Sequence, residues 1–180
     1  MIKYITAVFF IACIAFVSCR KAENAPVYDA NKQLGQDTIL IKNYLAQNNI
    51  EAVKHKSGIY YVLEDPGSGD YDYGDLSTTE ITVKYTGKLL NGTVFDSNTT
   101  GVTFGPQQIP NGLAGLISAW QIALAPASMN GIVEGGLQNG GKIRIITPSV
   151  YAYGPYAQNG IPANSVLDFE IELLNVKTYN

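Results

Sequence analysis

Residues 81–97 constrain the fold more than any other stretch of this chain; they read ITVKYTGKLLNGTVFDS. Apolar and polar residues alternate from Ile81 to Tyr85, which is the period of a half-buried β-strand. The Asn91-Gly92 pair that follows favours a type I′ turn, because both central residues of that turn need positive φ. We therefore predict a β-hairpin that carries Tyr85 on one strand and Phe95-Asp96 on the returning strand.

Asp96 is unusual, because a carboxylate follows a core-type aromatic residue on a strand where apolar side chains should dominate. An unpaired buried charge is costly, so this side chain needs a partner such as a tyrosine hydroxyl, or it must face a cavity. The remaining alternative is an exposed position at the end of a strand. Taken by itself, the hairpin favours the exposed position.

Residues 1–18 have the layout of a secretory signal peptide, with an apolar run over residues 4–17 that is too short to span a bilayer as a mature helix. Small or apolar residues before Cys19 resemble a bacterial lipobox, although Phe16 stands where Leu is usual. Cys13 is the competing site. We expect Cys19 to carry a lipid that anchors the protein to a bacterial membrane in the cell envelope. The outer membrane is our first choice, with the protein facing either the periplasm or the cell surface.

The composition excludes several classes of protein. With 46% hydrophobic and 15% charged residues, the chain can bury one good core. Its net charge is −3 and its basic residues form no stripe, which argues against nucleic acid as a partner. Both cysteines lie in the leader or at the anchor, and His55 is the single histidine. We therefore expect no disulfide, metal, cofactor or nucleophilic machinery in the mature chain.

The part after the signal peptide divides into three segments. Residues 19–36 are polar and lack periodicity, as a tether would. Residues 37–57 are predicted to form a short packing or spacer helix, with Asp37 as its N-cap, and a linker. Residues 58–180 contain six strand-like runs and one helix, which predicts an α+β domain with an antiparallel β-sheet packed on a short α-helix. The last run alternates from Leu167 to Leu173, with one face in the core and the other in water.

Four blocks in order, VKYTGKLLNGTVFDS, LISAW, GGKIRIITPSVYAYG and GIPANSVLDFEIELL, resemble the FKBP-type peptidyl-prolyl cis-trans isomerases. The resemblance covers about residues 58–177. Together with the leader and the spacer helix, the chain is similar to lipoprotein members of Bacteroidetes-type bacteria. The fold that this implies is an FKBP-like antiparallel β-sheet wrapped on a short α-helix.

The resemblance also implies a substrate pocket. In the family the Trp is the floor beneath the proline ring, aromatic side chains form the walls, and the Ile backbone N–H and the Tyr hydroxyl of the AYG loop bind substrate carbonyls. The Asp lies at the rim in a polar network with the first Tyr, which favours a functional Asp96 that Tyr85 holds toward the cavity. The implied catalytic residues are Asp96, Tyr85 and Tyr153, and the implied substrate-binding residues are Tyr85, Phe95, Asp96, Leu116, Ile117, Trp120, Tyr153 and Phe169.

The function implied is isomerisation of proline-containing polypeptides during the folding of exported proteins, with macrolides of the FK506 or rapamycin type as possible ligands and a monomer as the default. Val102 stands where the family often has a further aromatic wall, Ala119 replaces the usual Gly, and the loops at 105–115 and 126–136 are long. The second loop could enlarge a substrate surface or cover the pocket. These departures favour the alternative, a non-catalytic binding or chaperone module that recognises an envelope partner.

Overall fold

The computed structural model describes residues 27–180. The predicted signal peptide, the lipid-bearing Cys19 and the first part of the tether lie outside the described residues. The helices are α1 (Ala30–Gln47) and α2 (Ser118–Leu124), with 3₁₀ helices at Gly112–Gly115, Ala127–Met129 and Ser149–Tyr151; the strands are β1 (Val53–Lys54), β2 (Tyr60–Asp65), β3 (Thr79–Leu89), β4 (Val94–Phe104), β5 (Lys142–Thr147) and β6 (Leu167–Thr178).

The strands form one six-stranded sheet in the order β1-β2-β5-β6-β3-β4, and every neighbouring pair is antiparallel. Apolar side chains of the central strands β3, β5 and β6 pack with those of α2 in the main core. This confirms the predicted α+β fold with a sheet wrapped on a short helix. Within residues 27–180, no helix combines the length and the apolar character needed to cross a bilayer.

Residues 58–180 contain five strands rather than the predicted six, and the sheet reaches six only by including β1. Val102–Phe104 is the end of β4 rather than a separate strand, because β4 continues along β3 across an irregularity between Asn98 and Val102. The sixth strand is instead β1, which lies ahead of residue 58 and pairs with β2. The sheet therefore begins within the segment that we assigned to a linker.

The β3–β4 hairpin is confirmed, but its predicted type I′ turn is wrong. The Gly92 N–H donates to the Leu89 carbonyl at 2.9 Å, and the Leu89 N–H donates to the Thr93 carbonyl at 2.9 Å. Gly92 has φ 86°, whereas Asn91 is not among the described residues with positive φ. A three-residue loop with one left-handed residue needs only the glycine to be strain-free.

The N-terminal helix begins earlier than predicted. Asp29, not Asp37, is its N-cap, and the Asp29 carboxylate accepts from the backbone N–H groups of Asn31 and Lys32. The polar appearance of residues 30–36 reflects a solvated helix face rather than a tether. Asp37 lies inside the helix and is fully buried, so it occupies a position on the face that packs against the domain.

Helix α1 packs on the face of the sheet opposite to α2. Ile41 and Leu45 form a second apolar cluster with Tyr60 on β2 and Ile146 on β5. These strand residues alternate with those of the main core, as the period of a β-strand requires.

A polar network ties α1 to this same face of the sheet. The Tyr44 hydroxyl donates to Asp168 at 2.8 Å, and the Arg144 guanidinium contacts both oxygens of the same carboxylate at 3.0 and 2.7 Å. Asp168 is 1% exposed, so part of the β6 face that we predicted to meet water is covered by this helix.

Candidate active site

The β3–β4 hairpin places an aromatic residue and a carboxylate side by side. Gly87 pairs with Asp96 but Lys88 pairs with Val94, so Phe95 is an extra residue in a β-bulge. Successive side chains of a regular strand point to opposite faces, and a bulge relaxes that alternation. Phe95 and Asp96 therefore both line one cavity.

Tyr85 provides the partner that the Asp96 carboxylate needed. The Tyr85 hydroxyl donates to Asp96 Oδ2 at 2.7 Å, and the carboxylate is exposed at the mouth of the cavity. The sequence offered an exposed carboxylate and a carboxylate held by a tyrosine as alternatives, and Asp96 is both exposed and hydrogen-bonded. No desolvation penalty of a fully buried charge has to be offset here.

Trp120 on α2 forms the base of the cavity and is 5% exposed. Three aromatic rings meet its ring nearly edge to face, with centroid distances of 5.1 Å for Tyr85, 5.9 Å for Phe104 and 5.7 Å for Phe169. Edge-to-face pairs add to the energy of apolar burial, so the indole is held in one orientation. Phe95 in turn packs edge to face on Phe169 at 5.6 Å.

Gly87 makes room for this aromatic cluster. A Cβ atom at this position would stand 2.6 Å from Cζ of Phe95 and 2.9 Å from Cε1 of Phe169. Both distances are too short for real atoms, so any larger residue would displace one of the rings. The sequence-based prediction missed this role, although a glycine inside a strand pattern signals a bulge or a close approach.

The resulting cavity has a volume of about 210 Å³. The structure brings together all eight residues that the resemblance implied and adds Phe104. The lining consists of Tyr85, Phe95, Asp96, Phe104, Leu116, Ile117, Trp120, Tyr153 and Phe169.

Phe104 is the lining residue that sequence reasoning missed. The prediction looked for an aromatic wall at Val102 and expected a weakened pocket there, whereas Phe104 lies two residues further along β4 and contacts both Tyr85 and Trp120. Residues two apart on a strand share a face. A prediction that extended β4 to residue 104 would therefore have placed Phe104 on the same face as Val102.

Two hydrogen-bond donors at the cavity have no acceptor within the described part of the chain. The Ile117 N–H lies just before α2, and among residues 27–180 no carbonyl or side chain accepts from it. The Tyr153 hydroxyl likewise makes no hydrogen bond to residues 27–180, although Tyr153 lines the cavity. Both groups are therefore available to donate to an acceptor on a bound ligand.

The electrostatics keep both tyrosines neutral. Burial and the neighbouring Asp96 carboxylate, which accepts its proton in a hydrogen bond, raise the pKa of Tyr85 well above its ordinary value. Burial and the charge of Asp96 also raise the pKa of Tyr153. Tyr85 and Tyr153 therefore remain hydroxyl donors at neutral pH.

The loop at 105–115 joins Phe104 to Leu116 at this cavity, whereas the loop at 126–136 lies against another cavity. Residues 126–136 line a different cavity of about 560 Å³, together with the segment 66–73. No residue of either 105–115 or 126–136 is among the described residues that line the Trp120 cavity. The structure gives no support to the second loop as a cover of the pocket, and its part in a larger substrate surface stays a prediction.

Comparison with known proteins agrees with this geometry. Residues 76–174 match the FKBP-type peptidyl-prolyl cis-trans isomerase family, FKBP_C. A peptidyl-prolyl cis-trans isomerase of Saccharomyces cerevisiae is 39% identical over 116 residues, which are 64% of this chain and 25% of that protein. The isomerase FkpA of Buchnera aphidicola from Schizaphis graminum is 33% identical over 162 residues, which are 88% of this chain and 57% of that protein.

Solved structures lead to the same family. The crystal structure of FkpA from Escherichia coli superposes with a TM-score of 0.60 at 26% sequence identity, and the match covers 83% of this chain and 63% of that one. AtFKBP13 gives a TM-score of 0.54 at 29% identity and covers 69% and 98%. The chain spans between a quarter and three fifths of the length of the two curated relatives. The chain belongs to the FKBP-type peptidyl-prolyl cis-trans isomerase family.

Proposed function

We propose that this protein catalyses cis-trans isomerisation of Xaa-Pro bonds in polypeptides. The observation that carries the proposal is the cavity itself, in which three aromatic rings surround Trp120 and two unengaged donors stand at the edge. A proline ring fits an apolar cavity of about 210 Å³ that has an indole base.

The reaction needs no chemistry that these residues lack. Rotation about a peptide bond meets a barrier of about 18–20 kcal/mol, because the planar amide loses its resonance, and no bond is broken. The twisted amide has a smaller charge separation than the planar one, so an apolar cavity favours it. Each ~1.4 kcal/mol gained selectively in the twisted state raises the rate tenfold.

The polar groups orient the peptide on either side of the proline. The Ile117 N–H and the Tyr153 hydroxyl donate to carbonyl oxygens of the substrate, which holds the flanking chain while the amide twists. Asp96 fixes the Tyr85 hydroxyl and keeps that ring against Trp120. In this mechanism Asp96, Tyr85 and Tyr153 are the catalytic polar residues, and the aromatic lining binds the proline.

The cellular role that we propose is the folding of exported proteins in the cell envelope. It is supported by the signal-like residues 1–18 and by the lipobox-like residues before Cys19. A Cys19→Ser variant should lose its lipid and leave the membrane fraction, whereas Cys13→Ser should remain there. The reverse result would move the anchor to Cys13, and release of neither variant would remove the anchor from the proposal.

Macrolides are proposed as ligands of the same cavity, because proline mimics would use the same apolar walls. An FK506-type compound should inhibit isomerisation and protect Trp120 fluorescence from quenching. A monomer is also proposed, and light scattering of the purified chain at several concentrations measures it directly.

The test of the activity is NMR exchange of a short Leu-Pro or Phe-Pro peptide with the purified full chain. Asp96→Ala and Tyr153→Phe should lower the exchange rate while the variants stay folded. Tyr156→Phe is the matched control, because Tyr156 is 73% exposed and lies outside the cavity lining. Line broadening without faster exchange would overturn the isomerase and support the non-catalytic binding module.

A further inference from the structure

Helix α1 contacts the loop that carries Tyr153 through one buried carboxylate. Asp37 is 0% exposed, and its Oδ2 accepts two hydrogen bonds from Ser149, one from the backbone N–H at 2.8 Å and one from the hydroxyl at 2.7 Å. Its Oδ1 accepts from the Gln33 side chain at 2.7 Å. A buried carboxylate is tolerated only when its oxygens are bonded in this way, so the contact with Ser149 is specific.

Ser149 in turn holds both neighbours of Tyr153. It begins the 3₁₀ helix Ser149–Tyr151, and its carbonyl accepts from the N–H groups of Ala152 and Gly154, both at 2.9 Å. Tyr153 lies between these two residues. Ser149 therefore links α1 to the backbone around Tyr153, because it hydrogen-bonds to Asp37 on one side and to Ala152 and Gly154 on the other.

Other contacts of α1 run along the same loop. The Tyr28 hydroxyl, just before the helix, lies 3.8 Å from where a Cβ atom on Gly154 would stand. The Leu34 side chain lies over Gly58, close to Pro148. The helix thus follows the loop from Pro148 to Gly154 instead of acting as a spacer.

We propose that Asp37 is a positioning residue of the substrate site, which acts through Ser149 to place the Tyr153 hydroxyl. The proposal rests on the proposed isomerase function for its kinetic effect. Its structural content stands apart from that function, because it concerns the order of the Ser149–Gly154 loop.

Helix α1 offers a matched control for this proposal. The Tyr44 hydroxyl also docks the helix, but it bonds to Asp168 and Arg144 on the central strands and not to the loop. Tyr44→Phe therefore weakens helix docking without touching Ser149. An effect that comes only from loosening α1 would be common to both variants.

The experiment compares Asp37→Asn with Tyr44→Phe in the full chain. For Asp37→Asn, kcat/KM for a Xaa-Pro peptide should fall by about fivefold or more, and that of Tyr44→Phe should stay within about twofold of the wild type. In a Tyr153→Phe background, Asp37→Asn should change kcat/KM by less than about twofold, because the hydroxyl that it places is gone. A full effect in that background, or equal effects of Asp37→Asn and Tyr44→Phe, would overturn the proposal.

Amide hydrogen exchange gives a readout that does not depend on activity. In Asp37→Asn the Ala152 and Gly154 amides should exchange about tenfold faster, while those of β5 and β6 stay unchanged. Uniform acceleration across the sheet, or none in the loop, would refute the positioning role. A wild type without isomerase activity would instead refute the proposed function and leave this measurement valid.

A second substitution covers the case in which Asp37→Asn does not fold. Ser149→Ala removes the hydroxyl but keeps the backbone N–H bonded to Asp37, so it weakens the same link more mildly. The expected loss in kcat/KM is about two- to fivefold, again absent in the Tyr153→Phe background. An unchanged rate and unchanged exchange at Gly154 would contradict the proposal.

Discussion

The Tyr85 hydroxyl donates a 2.7 Å hydrogen bond to Asp96 Oδ2 across the β3–β4 hairpin. Asp96→Asn keeps the shape but removes the charge of the acceptor, and charge-assisted bonds are the stronger kind. We expect kcat/KM to fall by roughly three- to tenfold, which corresponds to about 0.5–1.5 kcal/mol. Peptide kinetics measure the change.

Asp96→Asn should leave stability nearly unchanged, because the carboxylate is exposed. A urea midpoint equal to that of the wild type, together with wild-type kinetics, would show that this bond does not contribute to turnover.

Gly87→Ala should distort the cavity. A Cβ atom would stand 2.6 Å from the Phe95 ring, and overpacking of this kind costs about 1–3 kcal/mol. We expect two losses in this variant: the free energy of unfolding, measured by urea denaturation, and the affinity for a proline peptide, measured by titration.

Gly135→Ala is the control for Gly87→Ala, since a Cβ atom there meets nothing within 4 Å and the residue does not have positive φ. Equal stability of the two variants would contradict the packing described for Phe95 and Phe169.

Trp120→Ala should destabilise the protein by roughly 3–5 kcal/mol, because a large buried side chain is lost and a void remains. Trp120→Phe should cost clearly less, since an aromatic ring remains to pack against Tyr85, Phe104 and Phe169. The free energies of unfolding in urea test both values. Unchanged stability of the alanine variant would mean that the indole does not support the core.

His55 makes stability depend on pH. Partial burial and the nearby Lys56 lower the pKa of His55 below 6.5, although the Gly131 carbonyl opposes the shift. As the pH falls below 6.5, the unfolded chain binds the proton before the folded chain does, so stability is lost toward acid. His55→Gln should remove this contribution.

The measurement compares urea midpoints of wild type and His55→Gln between about pH 8 and pH 5. The wild type should lose stability relative to the variant as the pH decreases. A constant difference over this range would show that the folded protein does not perturb this imidazole.

Several elements of the site were determined by the local sequence. The alternation from Ile81 to Tyr85 and the glycine at position 92 indicated the hairpin, because strand period and turn location follow from neighbouring residues, although the turn type did not. The eight residues that the resemblance implied all line one cavity, since the order of the blocks reports a shared fold. Their roles as catalytic or substrate-binding residues remain predictions for the kinetic tests.

Tertiary structure decided the features that depend on distant contacts. From the sequence, Asp37 was predicted to be a helix cap. Its partner Ser149 lies 112 residues away, so the buried pair becomes visible only when α1 packs on the domain. The bulge at Phe95, which turns both Phe95 and Asp96 toward the cavity, follows from the register of β4 on β3. Local periodicity indicates which elements form, whereas the contact of Asp37 with Ser149 and the place of Phe104 in the cavity depend on how those elements pack.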